Sequence, residues 1–236
     1  DIGSSGVKAA VFRFGEMIGQ VIRFSDQQWE KVNELVTNHG VKNIIYSTVA
    51  NVPPQRWIDT WESEDRLVLA LTTTLTLPFK SVYETMHTLG HDRIAVVAGS
   101  LAPAASMAPA TAPKASRAAG QKAARLIVDA GTCVTLDLVD AEGTYLGGNI
   151  SPGLHLRLKA MHTFTARLPL VEAGEVKELV GRSTAAALRH GGQLGVVYEI
   201  EGLYHRLRTV HPSLQLLLTG GDGEWIAAQL SIPCCF

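Results

Sequence analysis

Apolar positions along this chain recur first at the spacing of strands, then of helices, and the changes of period mark its elements. Val7 to Phe14 and Gln20 to Phe24 read as paired strands, and Gly15-Glu16-Met17 between them predicts a hairpin turn. Gln27 to His39 carries Trp29, Val32, Leu35 and Val36 at helical spacing, with Ser25 or Asp26 as the expected cap and Gly40 as the stop. Val41 to Tyr46 and Leu67 to Leu71 read as short buried strands, separated by a helix that Pro53-Pro54 opens. In the second half, Leu126 to Ala130, Cys133 to Val139, Thr144 to Ile150 and Leu214 to Leu218 read as strands. The stripe Ala187, Leu188, Leu194, Val197, Ile200 and Leu203 predicts the core face of a helix. A hairpin followed by alternating helices and short apolar strands predicts an α/β fold with a mixed sheet.

The beginning of the chain recurs in its second half. Asp1-Ile2-Gly3-Ser4 and Asp129-Ala130-Gly131-Thr132 share the pattern Asp-x-Gly-[Ser/Thr], each followed by a strand and a turn with Gly. This internal repeat predicts two related lobes, residues 1–99 and 125–236. Between them, residues 100–124 are rich in Ala and Pro and lack periodicity, so they read as a loop or insertion that tolerates shortening.

Hydrophobic residues make up 46% of the 236 and charged residues 18%, which suits a globular chain with a sizeable core. The formal net charge is -1 and no basic stripe appears, so a nucleic-acid partner is not expected. Cys133, Cys234 and Cys235 form no disulfide framework and no zinc spacing, which points to a reducing, cytoplasmic compartment. The uncharged run from Ile94 to Pro113 is interrupted by Pro103 and Pro109, so no membrane span is expected. The sequence opens at Asp1 without Met or signal peptide, as expected of a trimmed or partial sequence.

Candidate chemistry lies at strand ends. Phosphates are held by backbone N–H groups in glycine turns and by small hydroxyls. Asp1-Ile2-Gly3-Ser4-Ser5-Gly6-Val7-Lys8 offers two glycines, two serines and a lysine, with Asp1 able to hold a metal ion through water. Asp129-Ala130-Gly131-Thr132 is a second such element, and Thr219-Gly220-Gly221-Asp222 a third at the end of an apolar strand, where ligands of α/β sheets bind. In Gly90-His91-Asp92-Arg93, the carboxylate is placed to take a proton from an alcohol and the arginine to steady an anion.

The ordered set Asp-x-Gly, Gly-x-Asp-Arg, Asp-Ala-Gly-Thr, Gly-Gly-Asn-Ile-Ser-Pro-Gly-Leu, Thr-Ala-Arg-Leu-Pro and Thr-Gly-Gly-Asp resembles the type III pantothenate kinases, from Asp1 to about Asp222. Leu146 to Val171 is its most specific stretch. The resemblance implies two RNase H-like lobes of the actin-like ATPase kind with a nucleotide cleft between them. It implies a homodimer that uses ATP, Mg2+ or another divalent cation, and K+ or NH4+ to phosphorylate pantothenate in coenzyme A synthesis. It further implies that Asp1, Ile2, Gly3, Ser4, Ser5, Gly6, Val7 and Lys8, with Thr132, bind ATP. By the same resemblance Asp92 is the general base, Tyr83, Gly90, His91, Asp92, Arg93 and Thr184 meet pantothenate, Asp129 ligates the monovalent cation, and Thr219 to Asp222 lie near the adenosine. Ser4 stands where the family usually has Asn, a shorter reach to phosphate; the 100–122 loop looks long, and both ends look short. Two other readings share the phosphate elements. One is a non-catalytic accessory factor for transcription, disfavoured because Asp1, Asp92 and Asp129 are all present. The other is a different small-molecule kinase or a polyphosphate hydrolase, which need not have Gly-x-Asp-Arg.

Overall fold

The computed structural model describes residues 1–3, 6–25, 27–49, 52–102 and 123–236. The chain divides into two compact units: Asp1–Pro78 with Glu84–Gly99, and Phe79–Tyr83 with Ser100–Phe236. The expected loop lies almost wholly outside the described residues.

In the first unit, β1 (Ile2–Gly3), β2 (Gly6–Arg13) and β3 (Glu16–Phe24) form an antiparallel sheet in sequence order. The β2–β3 turn is two residues, Phe14-Gly15, one residue earlier than the sequence predicts. Both have positive φ, 53° and 86°, the twist that a two-residue hairpin needs, and Arg13 pairs with Glu16 across it. Helix α1 (Trp29–Asn38) follows. Its N-cap is Gln28, which makes no side-chain cap, so the expected Ser25 cap is not used, and Asp26 lies outside the described residues. Gly40, at φ 59°, ends it as predicted: the Gly40 and Val41 N–H groups return to the carbonyls of Thr37 and Val36, which satisfies two of the helix's last acceptors.

Strands β4 (Asn43–Tyr46) and β5 (Leu67–Ala70) pair in parallel, with α2 (Gln55–Ser63) between them. They are not the buried strands the sequence predicts. Ile44, Tyr46 and Val68 pack on the core of Val7, Trp29, Val32 and Trp61, whereas Ile45 and Leu67 are exposed. One face of this pair is covered and the other is not. A parallel bridge from Ile2 to Thr48 ties β1 to the chain leaving β4. A cavity of about 810 Å³ opens between β2, α1 and β4, lined by Val11, Val32, Val36, Ile44 and Tyr46 among others. The unit ends at Gly99, within α3 (His91–Ser100).

The second unit holds a five-stranded sheet in the order β10-β7-β8-β9-β6. Strands β7 (Arg125–Ala130), β8 (Cys133–Val139) and β9 (Thr144–Pro152) form an antiparallel meander. Strand β10 (Gln215–Thr219) runs parallel to β7, and the two-residue β6 (Lys80–Ser81), which no sequence signal marks, runs parallel to β9. A bridge from Leu217 to Cys235 extends the sheet in parallel beyond β10. Leu126, Val128 and Ala130 of β7, with Val134 and Leu136 of β8, face a core that α4 (Leu154–Thr163), α5 (Thr184–Arg208) and α6 (Gly223–Gln229) complete with Leu158, Val196, Ile200 and Ile226. Ser183 caps α5 by accepting from the Ala186 N–H at 3.2 Å, and the predicted stripe is its buried face at Leu188, Leu194, Val197 and Ile200. The buried Gln193 amide exchanges two hydrogen bonds with the backbone of Gly174, which ties the extended segment after Leu168-Pro169 to this helix.

Candidate active site

In the second unit the sheet brings three glycine elements, far apart in sequence, to one end of β7 and β10. Asp129 stands beside Thr219 in the parallel ladder and beside Thr135 across to β8. The Asp222 N–H donates to the Ala130 carbonyl at 3.0 Å. Gly220 has φ 95°, and a Cβ there would lie 2.2 Å from that carbonyl oxygen, so this turn admits only glycine. The Gly153 N–H donates to the Thr132 carbonyl at 2.9 Å, and a Cβ at Gly153 would lie 2.0 Å from the Gly131 oxygen. The start of α4 is thus seated directly on the Gly131-Thr132 turn. No acid occupies the first turn of α4, which leaves its positive end free of competing carboxylates on its own turn. His155 Nε2 lies 3.8 Å from Asp222 Oδ1 at the edge of this cluster.

Arg157 braces the turn. Its Nε donates to the Pro152 carbonyl at 2.8 Å, its Nη2 to Ser151 Oγ at 3.2 Å, and the same nitrogen pairs with Glu199 of α5. Sequence reasoning missed Arg157, and also the packing role of Gly153, although Gly153 lies inside the stretch that is most specific.

In the first unit, Asp1 pairs with Lys8 through two backbone hydrogen bonds, and Lys8 Nζ lies 3.8 Å from Asp1 Oδ2. Ser47 Oγ donates to Asp1 Oδ1 at 3.0 Å, so the carboxylate is held by a residue that sequence reasoning did not single out. Gly3 and Gly6 face each other in the ladder; Gly6 has φ 132°, and a Cβ there would meet the Phe24 oxygen at 2.9 Å. The side chains of Ile2 and Val7 are buried beneath this turn. Ser4 and Ser5 lie outside the described residues.

Gly90-His91-Asp92-Arg93 forms the start of α3. The Ile94 N–H donates to the Gly90 carbonyl at 3.1 Å, and the Arg93 N–H donates to Asp92 Oδ1 at 2.8 Å. A Cβ at Gly90 would lie 2.4 Å from that carboxylate oxygen, so the glycine makes room for it. His91 and Asp92 are half-buried, and Arg93 is buried. Tyr83 belongs to the second unit, where its ring lies 5.7 Å from that of Tyr145. Tyr145, fully buried, donates its hydroxyl to Asp137 at 2.8 Å. Thr184 is the exposed first residue of α5.

The family model of the type III pantothenate kinases matches residues 1–206. The chain belongs to this family. The curated type III pantothenate kinase of Flavobacterium psychrophilum is 34% identical over 98% of this chain and 88% of its own length. Those of Flavobacterium johnsoniae and Bacteroides fragilis are 35% and 36% identical over 98% and 94% of the chain, and 87% and 84% of their own lengths. A solved structure of a Baf family protein from Campylobacter jejuni covers 97% of the chain and 85% of its own, at 19% identity and a TM-score of 0.49. For this pantothenate kinase family member, the curated relatives do not favour the accessory-factor reading. Among the described residues no helix is long and apolar enough to cross a membrane.

The donor sets can be compared with the ions the family implies. Among the described residues no three His, Cys, Asp or Glu side chains cluster. A divalent ion that arrives with nucleotide phosphates needs only one or two carboxylates, which Asp1 satisfies. Near Asp129 the donors are oxygens of one carboxylate and of threonines, and the buried Thr135 Oγ1 has no hydrogen-bond partner among the described residues. Such a set, hard and of low charge, fits a monovalent cation.

Proposed function

We propose that this chain transfers the γ-phosphoryl group of ATP to the primary hydroxyl of pantothenate, giving 4'-phosphopantothenate and ADP. The match of the family model across residues 1–206 carries the reading. The two units are compatible with RNase H-like lobes at residues 1–99 and 125–236, except that residues 79–83, expected in the first lobe, join the second unit through the pairing of β6 with β9. In each unit, three consecutive antiparallel strands are followed by parallel additions on the side of the first strand; Asp1 immediately precedes the first strand of one unit and Asp129 lies within the first strand of the meander in the other.

In this mechanism, ATP phosphates are bound by backbone N–H groups and small hydroxyls, with Asp1, Ile2, Gly3, Ser4, Ser5, Gly6, Val7, Lys8 and Thr132 as the residues assigned to ATP. A divalent cation bound with ATP neutralises phosphate charge, and Asp1 would hold it through water. Asp129 would hold potassium or ammonium. Tyr83, Gly90, His91, Arg93 and Thr184 bind and orient pantothenate. Asp92 accepts the hydroxyl proton as the new P–O bond forms, while the bridging oxygen leaves with ADP in line. The active form is a homodimer in the cytoplasm.

Replacement of Asp92 by Asn keeps shape and removes basicity. The expected result is a fall in kcat of roughly 10²- to 10⁴-fold with ATP binding nearly unchanged. Steady-state kinetics and nucleotide titration check it. Near wild-type turnover in Asp92→Asn would remove the base from the mechanism; phosphorylation of glucose or polyphosphate in preference to pantothenate would remove the substrate.

A further inference from the structure

The sheet of the second unit has two unlike faces. Leu126, Val128 and Ala130 of β7, with Val134 and Leu136 of β8, point to the helix-covered core. Alternation puts Asp129 and Thr135 on the opposite face. Directly paired residues share a face with Cβ atoms about 4.5–5.5 Å apart. Thr135 pairs with Asp129 on one flank and Thr219 pairs with it on the other. Three oxygen-bearing side chains therefore stand in one row across three strands. The row is graded in exposure: Thr219 is exposed, Asp129 half-buried, and Thr135 buried at 7%.

Thr135 is out of place as a purely structural residue. Its Oγ1 is inaccessible and has no hydrogen-bond partner among the described residues. Valine has the same shape, suits a strand equally well and avoids burying a hydroxyl without a partner. We infer that Thr135 Oγ1 is an oxygen ligand of the monovalent cation at Asp129, the inner end of a site that Thr219 borders at the solvent side. This rests on the proposed reading of Asp129 as the cation ligand. The chemistry selects the ion. One carboxylate and neutral hydroxyls give a site of low charge, whereas Mg2+ dehydrates reluctantly and prefers waters, carboxylates and substrate phosphates. The hydroxyl lone pairs that go unused inside the protein are what a weakly hydrated cation such as potassium requires in place of its water.

The test reads stability rather than turnover. Thermal unfolding of the nucleotide-free protein is followed as potassium chloride replaces choline chloride at constant ionic strength. The wild type is expected to gain melting temperature with potassium in a saturable way, and Asp129→Asn is expected to lose that gain. Thr135→Val is expected to be at least as stable as wild type in choline, but to need roughly tenfold or more potassium for half the gain, a loss of about 1.4 kcal/mol in binding. Thr135→Ser, which keeps the oxygen, is expected to restore the response. If Thr135→Val does not fold, Thr135→Cys, which replaces a hard oxygen by soft sulfur, is read instead, and the same loss is expected. A wild-type potassium response in Thr135→Val or Thr135→Cys, with Asp129→Asn unresponsive, overturns the role of Thr135 and leaves Asp129 in place. No potassium response in the wild type overturns both.

Discussion

Gly153→Ala tests whether the Gly131-Thr132 turn, proposed to meet phosphate, is held by backbone packing. A Cβ at this position falls 2.0 Å from the Gly131 oxygen and 2.6 Å from the Thr132 oxygen, and both are backbone atoms that cannot swing aside. Opening the shorter contact to about 3 Å requires the start of α4 to retreat by roughly 1 Å, a strain of the kind that overpacking costs at about 1–3 kcal/mol. That retreat stretches the 2.9 Å hydrogen bond from the Gly153 N–H to the Thr132 carbonyl, which contributes about 0.5–1.5 kcal/mol. Together the expected destabilisation is roughly 2–4 kcal/mol. Urea unfolding reads it as a lower midpoint at unchanged slope. The displaced Thr132 turn should also raise KM for ATP more than it lowers kcat. Gly191→Ala is the control. It lies within α5 with nothing within 4 Å of the added Cβ, so it should gain roughly 0.5–1 kcal/mol. A Gly153→Ala protein with the wild-type midpoint and wild-type KM for ATP would refute the packing argument.

Two further outcomes follow from other parts of the molecule. Burial, and then the neighbouring Cys235, push the Cys234 thiol up, so it holds less thiolate near neutral pH; Cys133 is exposed. Iodoacetamide at pH 7 should therefore modify Cys133 before Cys234, as read by peptide mass spectrometry, and the reverse order would contradict that placement. The proposed homodimer requires a solution mass near twice 25.4 kDa, and a fully active monomer by light scattering with in-line assay would remove the partner subunit from the proposal.

Local signals carried far in this sequence. The strand Cys133–Val139 is bounded where its apolar run predicts, because Gly131-Thr132 before it and the Asp140–Gly143 turn after it are strong breaks. Gly40 ends α1 because only a residue at ease with positive φ can close its last turn. The errors are of three kinds. The hairpin turn shifted by one residue because Phe14, bulky and fully exposed, takes a positive φ that sequence rules reserve for Gly or Asn. β4 and β5 look like buried strands in sequence, but an apolar run does not say whether one face or two is covered. β6 has two residues and exists only through its pairing with β9.

For the site, the motifs were readable and their convergence was not. Asp129 and Thr219 become neighbours only through the parallel ladder of β7 and β10, and Gly153 meets Gly131 only when β9 closes the meander. Those are long-range facts that no window of sequence contains. The one signal available for Thr135 was its polarity inside the apolar run Cys133–Val139, two residues before Asp137, a polar face on a strand that is buried on both sides.

Asp92 separates chemistry from folding more cleanly than the glycines can. It occupies the first turn of α3, where its Oδ1 accepts from the Arg93 N–H and its charge meets the positive end of the helix. Asparagine there still offers an acceptor oxygen, so Asp92→Asn should cost the fold only the charge–dipole contribution, about 0.3–1 kcal/mol. A general base worth 10²- to 10⁴-fold corresponds to about 2.7–5.5 kcal/mol in the barrier. The two quantities differ enough to be read independently, one by urea midpoint and the other by kcat. A large kinetic loss with a small stability loss assigns the carboxylate to proton transfer. Equal losses in both would make it a helix-stabilising residue whose removal disables the enzyme by loosening α3. Thr88 provides the comparison outside that helix. Its hydroxyl donates to the Thr85 carbonyl in the turn before α3, so Thr88→Val should lower stability by about 1 kcal/mol while leaving kcat in place.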